Sequence, residues 1–327
     1  MAARNMRAQS GESLWLRLPK QWRTDITGYL FCLPWLLSIL IFTTYPTVAS
    51  FVFSFFKYNV IQTPRFIGLT NYINMFTRDP RLWKSVYNSA YYSLLSVPLG
   101  LMTSLALALL LNAQVRGVGV YRTIYYLPTL VPPVAGTLLF MLIMDPRQGL
   151  LNAALSSLGL PKLGWFQSPT WSKPALLIMS MWGIGSGTLI FLASLKEVPK
   201  ELLEAATIDG AGAWRRFSSV TIPMISPVIL FNLVMGILGS FQVFTSAYVA
   251  GSGSGGGLAG GGPSGTAGGP LDSLLMYMVY LYTQAFRYFE MGYASAMAVV
   301  LFIVIMIITV VIFKSSGRWV YYEGARR

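Results

Sequence analysis

The sequence predicts an all-α membrane protein with six transmembrane helices. Of its 327 residues 54% are hydrophobic and only 11% are charged, and the mean hydropathy is +0.58. A soluble domain of this length is far less apolar. Six charge-free runs are long enough to cross about 30 Å of hydrocarbon, which takes roughly 20 apolar residues. Because backbone groups in lipid must be hydrogen-bonded internally, these runs are predicted to be helices and not strands.

The six runs set the predicted domain organisation. The first, second and fifth are longer than one span requires, so their ends are expected to project beyond the hydrocarbon. An N-terminal tail, 1–25, and a C-terminal tail, 314–327, flank the membrane domain, 26–313. The runs are 26–56, 85–115, 123–144, 174–195, 217–250 and 291–313.

Prolines interrupt four of the predicted spans. Each proline removes a backbone donor and tends to kink its helix. Kinked helices either pack around one another or open a central path, and both interpretations stay open. The prolines are Pro34 in the first span, Pro98 in the second, Pro128, Pro132 and Pro133 in the third, and Pro223 and Pro227 in the fifth.

The distribution of basic residues predicts that both termini are cytoplasmic. With that orientation 15 of the 24 Lys and Arg residues lie in the cytoplasmic tails and loops, as the positive-inside rule expects. The connection between the first two spans runs against this bias, because it carries five basic residues on the outside. The net charge of +13 is thus mainly a topological signal, and the scattered basic residues do not form a nucleic-acid-binding stripe.

The composition disfavours most enzyme chemistry. The chain has no histidine, which removes the commonest general base and metal ligand, and its one cysteine, Cys32, cannot form an internal disulfide. It also lacks a phosphate-binding loop, so we expect no cofactor in this chain and any nucleotide in a partner. Proton or ion coupling is disfavoured because no span carries an ionisable residue at its centre. A secondary carrier and a membrane enzyme remain as alternatives to the assignment that follows.

The polar loop 196–223, between the fourth and fifth spans, carries the most specific motif. It resembles the Glu-Ala-Ala loop of the membrane subunits of bacterial binding-protein-dependent ABC importers, and every motif position matches. The resemblance implies that this coupling loop contacts an ATPase. The motif residues and their neighbour Asp209 are Glu204, Ala205, Ala206, Asp209, Gly210, Val220, Ile222 and Pro223.

The coupling loop is predicted to fold as two short helices around a glycine corner. Pro199 suits the start of the first helix, and Gly210 suits a left-handed stop at its end. The second helix is expected at 213–220. An apolar side is predicted from Leu202, Leu203, Ala206 and Ile208. Small Ala205 and Ala206 would allow deep insertion into a partner, while Glu204 offers a carboxylate to a basic residue.

Further segments resemble the carbohydrate branch of the same family over about 25–323. The resemblance implies the type I importer permease fold and cargo such as a sugar, oligosaccharide or polyol. It also implies a second permease, two ATPase subunits and an extracytoplasmic solute-binding protein as partners in the cytoplasmic membrane. The matching segments are Tyr45-Pro46, 66–72, Gly268-Gly269-Pro270, Ala285-Phe286, 291–296 and 318–322.

Two groups of residues are candidates for the solute path. On the fifth span Asn232, Gly236, Ser240 and Val243 recur at helical spacing and could expose hydroxyl-bonding groups to a sugar. The alternative is close helix packing through small residues. On the fourth span Trp182, Gly183 and Ser186 lie together, and the indole ring could stack on a sugar or simply mark the membrane interface.

The segment 251–270 has 11 glycines in 20 residues and no charge. Such a chain buries too little apolar surface to offset its backbone entropy. We therefore expect a passive, mobile connection outside the membrane.

Overall fold

The computed structural model describes residues 20–113, 117–253 and 267–321, and these are mostly helical. Four continuous helices are long and apolar enough to cross a membrane. Two further pairs of helices pass the same test together but are bent at a short break, which gives up to six spans. Parts of both predicted tails, and Val115 at the end of the second run, lie outside the described residues.

The first span is one continuous rod that ends in a small hairpin. Helix α1 (Lys20–Ile39) passes through a π-helical turn, Leu40–Thr44, into α2 (Tyr45–Phe53). The antiparallel strands β1 (Phe56–Lys57) and β2 (Arg65–Phe66) follow, with Phe56 opposite Phe66. The rod is longer than the predicted run at its N-terminal end.

A short helix, α3 (Thr70–Thr77), leads into the longest helix, α4 (Pro80–Asn112). The Asp79 carboxylate caps α4 by accepting hydrogen bonds from the backbone N–H groups of Arg81 and Leu82, at 3.0 and 3.1 Å. The predicted run began five residues too late because Arg81 and Lys84 are charged but still helical. Pro98 lies inside α4 without ending it.

The third and fourth spans are broken helices. Helix α5 (Val118–Tyr126) continues as a 3-10 turn, Leu127–Leu130, and meets α6 (Pro133–Ile143) at a 100° bend. The predicted proline break in this span is therefore confirmed. In the fourth span α8 (Ser172–Met181) meets α9 (Gly185–Glu197) at 44°. That break has no proline and was not predicted. Outside these spans lies α7 (Leu150–Ser157).

The fifth span extends further into the coupling loop than predicted. Helix α10 (Lys200–Ile208) is separate, but α11 (Ala213–Arg216) runs through a π-helical turn, Phe217–Thr221, directly into α12 (Ile222–Phe241). Residues 213–220 are helical as predicted, but they form the start of a longer helix and not a second short one. Pro223 lies in the first turn of α12, directly after the π-helical turn, and its missing N–H removes one backbone hydrogen bond from this continuous helix.

The fifth span continues beyond α12, after a short break, as α13 (Thr245–Gly253). Most of the predicted mobile segment, 254–266, lies outside the described residues. Its two ends are packed: Gly251 and Ala267 are buried, and a Cβ on Gly251 would overlap the Ala267 carbonyl oxygen. A 3-10 turn, Pro270–Asp272, helix α14 (Tyr277–Tyr282), a π-helical turn, Thr283–Arg287, and α15 (Met291–Ser316) complete the chain.

The core divides into two clusters along the bundle. The larger cluster joins the first half of α4 to α8, α13, α14 and α15, with Leu176, Leu274 and Met297 fully buried. The smaller cluster joins the second half of α4 to α9 and the start of α12 through Leu107, Phe191 and Ile225. The coupling loop adjoins this smaller cluster.

Gly292 closes the contact between the hairpin and the last span. Its N–H donates to the Tyr58 carbonyl at 3.1 Å, and an added Cβ would overlap the Phe56 carbonyl oxygen.

We expect Gly292→Ala to lower the free energy of unfolding by about 1–3 kcal/mol, as overpacking does. Gly119→Ala is the matched control, since it is also helical but has open space around it. Equal thermal stability of both variants in detergent would contradict this packing.

Candidate functional site

A cavity of about 470 Å³ opens between α4, the α8/α9 pair and α12. Its described lining residues are small, hydroxylated or apolar, and none carries a charge. The side chains include Tyr92, Ser96 and Ser104 from α4, Ser180 and Ser186 from the fourth span, and Phe231, Asn232, Met235 and Ser240 from α12. Four glycines, Gly100, Gly187, Gly236 and Gly239, widen it.

The structure brings most of the predicted path residues to this region. Ser186, Asn232, Gly236 and Ser240 line the same cavity. Trp182 and Gly183 line a neighbouring cavity of about 310 Å³, which also includes Ser186. Val243 does not belong with them, because α12 ends at Phe241 and the helical spacing stops there. It packs instead against the larger core cluster.

Two cavity side chains have hydrogen-bonding capacity that the fold does not use. The Ser96 hydroxyl is buried and has no hydrogen-bond partner. The Asn232 amide nitrogen donates to its own helix at the Val228 carbonyl, 3.0 Å away, which commits that group to α12. Its Oδ1 lies 3.7 Å from the position of a Cβ on Gly187, so the absence of a side chain at Gly187 keeps this oxygen uncovered.

Ser240 and Gly236 also serve helix packing. The Ser240 hydroxyl is 2.7 Å from that of Ser93 on α4, and it lies 2.9 Å from the Ile237 carbonyl. A Cβ on Gly236 would lie 3.4 Å from Val97. The small-residue face of α12 therefore serves both roles considered from the sequence, because Gly236 and Ser240 contact α4 and also line the cavity.

Trp182 sits where the two broken spans meet. Its ring contacts Phe140 edge to face at 5.5 Å between centroids, and it lies 3.6 Å from a Cβ position on Gly136 in α6. One edge of the indole is thus occupied by protein, while about a third of the residue stays exposed at 36%. This geometry leaves ring surface open to the smaller cavity.

The α4 wall of the cavity escaped the sequence analysis. Tyr92, Ser96, Gly100 and Ser104 recur every four residues and so lie on one face of the helix. That polar stripe was readable in the sequence. The predicted path residues lie only on the two spans that flank the coupling loop, and α4 is not one of these.

The coupling loop forms a compact knob, defined by α10, the Gly210 corner and α11. Gly210 adopts φ +78°, a left-handed conformation that disfavours a side chain. The Ala211 N–H donates to the Ala206 carbonyl at 2.9 Å, and the Gly210 N–H donates to Thr207 at 3.0 Å. This bond pair is the Schellman motif, which satisfies the last carbonyls of α10 and turns the chain back. The predicted glycine stop is therefore confirmed.

The knob is anchored on one side and exposed on the other. Leu203 packs with Ile222 against the smaller core cluster. Arg216 donates to the Thr207 hydroxyl at 2.5 Å, and Thr207 donates to the Leu203 carbonyl at 2.7 Å, so α11 is tied to α10.

The residues predicted to give α10 an apolar side divide between the protein and the accessible surface. Leu203 and Ala206 do face the protein. Leu202 and Ile208 are 45% and 87% exposed instead, and Trp214 is 77% exposed. The motif residues Glu204, Ala205 and Asp209 lie on this same accessible surface. An apolar surface with two carboxylates at its edge suits a protein partner.

The fold and these two features define a helical membrane protein with an internal cavity and an exposed loop. Residues 96–320 match the family model described as "Binding-protein-dependent transport system inner membrane component". The chain belongs to this family. That assignment confirms the transport prediction over the secondary-carrier and enzyme alternatives.

The curated relatives match along nearly the whole chain. The probable ABC transporter permease protein YesP of Bacillus subtilis is 39% identical over 92% of this chain and 94% of its own length. The arabinooligosaccharides transport system permease protein AraP of the same organism is 31% identical, covering 89% and 88%. A chain of a bacterial alginate ABC transporter, solved with an alginate pentasaccharide-bound periplasmic protein, superposes with a TM-score of 0.77 at 22% identity, covering 92% of this chain and 98% of that one. This likeness confirms the type I permease fold.

The Gly210 corner gives a test of the knob. We expect Gly210→Val to deform the end of α10, because a β-branched residue costs more than about 1 kcal/mol in the left-handed region. ATPase subunits should then co-purify at a lower ratio while the membrane bundle keeps its thermal stability. Gly212→Ala is the control, since Gly212 has an ordinary φ of −63° and open space. Full ATPase recovery with Gly210→Val would contradict the role of this corner.

Proposed function

We propose that this chain is one of two permeases of an ABC importer and that a carbohydrate passes through the cavity between α4, α9 and α12. Several relatives are named for carbohydrate cargo, including arabinooligosaccharides, and the structural neighbour transports alginate. The second permease would supply the opposite wall. The solute-binding protein would deliver the sugar.

The observation that carries the proposal is the unpartnered Ser96 hydroxyl in an uncharged, hydroxyl-rich cavity. A buried hydroxyl without a partner costs about 1–3 kcal/mol, so its position is explained if a ligand completes the bond. Asn232 Oδ1 and Ser186 offer further acceptors or donors on the facing walls. A carboxylate or phosphate would find no cation on this wall, so we infer that sugar hydroxyls and ring faces contact it.

ATP hydrolysis would belong to two partner ATPases that bind the knob, so this chain would hold no cofactor. Closure of the ATPases on ATP would push the knob, and the path would switch from inward-facing to outward-facing. The breaks in the third and fourth spans are the natural places for the helices to bend during this change. In this scheme the chain makes and breaks no covalent bond.

The knob and the C-terminal segment share one end of the bundle, which supports a cytoplasmic C-terminus. The Tyr321 N–H donates to the Ser226 hydroxyl at the start of α12, at 2.8 Å. An ATPase-facing knob must be cytoplasmic, so the end of the chain beside it would be cytoplasmic too. The rod formed by α1 and α2 would then begin on the same side, in agreement with the basic-residue bias.

Charge reversal by Glu204→Lys should leave the protein inserted and folded but should uncouple ATP hydrolysis in the partner from solute uptake. The reason is that Glu204 is exposed on the knob and is expected to meet a basic partner residue. Uptake and solute-stimulated ATP hydrolysis would be measured in reconstituted complexes. Lys200→Glu, the opposite reversal at the start of α10, is a control for net charge. Normal uptake and normal stimulated ATP hydrolysis in Glu204→Lys would show that this carboxylate is not needed for docking of the ATPase.

Gly239 gives a direct test of the path, because it lines the cavity and has nothing within 4 Å of a Cβ. Gly239→Trp should fill the space that a sugar ring needs and reduce uptake at least tenfold, with ATPase assembly intact. Gly239→Ala at the same position should transport normally. Ser240→Trp should instead disturb assembly, since it would break the Ser93 contact. Normal uptake by assembled Gly239→Trp complexes would refute the cavity as the path.

A further inference from the structure

Helix α3 presents an apolar stripe away from the protein. Leu69, Ile73 and Phe76 are spaced four and three residues apart, so they share one face. They are 60%, 58% and 47% exposed. Trp83 extends the stripe: its ring lies 6.1 Å from that of Phe76, and its Nε1 donates to the Phe76 carbonyl at 3.3 Å.

The opposite side of α3 is fixed to the bundle, so the stripe cannot simply turn inward. The Asn71 amide donates to the carbonyls of Ser54 and Phe56 at 2.8 and 3.0 Å. The Tyr72 hydroxyl donates to that of Ser54 at 2.8 Å, and Met75 is fully buried. The exposed face is therefore held in a set direction.

The depth of α3 places it at the lipid headgroups. Helix α15 has 26 residues and is about 39 Å long, against about 30 Å of hydrocarbon and 40–45 Å for the bilayer with its headgroups. The hairpin binds the first turn of α15 through Gly292, and α3 packs on the same helix. A helix held against that end of a spanning helix lies near the membrane surface.

The charge around α3 is one-sided. From 57 to 84 the sequence has five basic residues and one acidic residue, Asp79. The Asp79 carboxylate is engaged internally: it caps α4 and accepts hydrogen bonds from Tyr280 and Tyr293. Within the described part of the chain the ion pair found is Arg81 with Asp272 at 3.2 Å, so Arg78 and Lys84 lie beside the stripe without one. Lys57 and Arg78 also border a polar cleft that includes Glu290.

We propose that α3 is an interfacial helix that binds the surface of an anionic phospholipid bilayer. The stripe lies in the boundary between headgroups and acyl chains, and Arg78 and Lys84 contact lipid phosphates. This accounts for two of the five basic residues that run against the orientation bias of the other loops. These residues hold the edge of the bundle to the membrane surface.

The single cysteine allows a clean test in the assembled transporter, reconstituted in nanodiscs. In a Cys32→Ser background, Ile73→Cys is labelled with an environment-sensitive fluorophore, and Asn74→Cys on the cleft side is the matched control. We expect lipid-borne nitroxide to quench the label at 73 several-fold more than at 74, and aqueous iodide to do the reverse. Iodide access at 73 equal to that at 74 would overturn the proposal. Shielding of the label at 73 from both quenchers would also overturn the proposal. It would indicate that the second permease covers α3, or that the solute-binding protein does so if the shielding is seen only when that protein is present.

The charge component is tested with lipid composition. Nitroxide quenching at 73 should be several-fold stronger in phosphatidylglycerol nanodiscs than in phosphatidylcholine nanodiscs. Arg78→Gln with Lys84→Gln should abolish that difference. Lys162→Gln, an exposed basic residue away from α3, should preserve it. Equal quenching in both lipids for the parent protein, or an unchanged difference in the double variant, would overturn the assignment to anionic lipid.

Discussion

The requirement that backbone groups find partners inside a membrane shapes the centre of this molecule. Two spans are broken, and each break frees donors and acceptors that cannot face lipid. The breaks therefore pack on each other: a Cβ on Gly185 would lie 2.5 Å from the Tyr125 carbonyl, and Trp182 covers Gly136. Both cavities lie beside this junction. The space available to a solute is thus a consequence of where irregular backbone can be tolerated.

Around that junction, the two ends of the bundle are built differently. At one end polar groups converge on Asp79, which links the start of α4 to α14 and α15 through Tyr280 and Tyr293. Nearby, Asn88 donates to the carbonyls of Asp272 and Leu275 at 2.8 and 3.1 Å. The end that carries the knob has a smaller apolar cluster and fewer such ties. Because polar contacts hold one end of the bundle firmly, the helices at the knob end can move more easily when a partner binds there.

Fold class, span positions and the knob's glycine stop could be predicted from the sequence because each depends on local chemistry. Charge-free length marks a span, and a left-handed stop needs glycine.

The features that were not predicted depend on tertiary contacts. The break after Trp182 has no proline, and its conformation is held by α5 packing against Gly185. Val243 was placed on the helical face because nothing in the local sequence shows that α12 ends at Phe241. The exposure of Leu202 and Ile208 was also not predictable, because apolar residues do not reveal whether they meet the same chain or a partner.

The continuity of the fifth span explains how a knob at the surface can influence a cavity deep in the bundle. Helix α11 passes through the π-helical turn into α12 without a break, so Trp214 and Asn232 belong to one rod. Their separation along it is about 27 Å at 1.5 Å per residue. In the proposed scheme, a push on the knob would be delivered along the same helix that carries Asn232, Gly236 and Gly239 into the cavity wall. Since Gly236 and Ser240 pack on α4 through small contacts, α12 can slide or tilt against α4 with little side-chain rearrangement, and the cavity's shape would change with it.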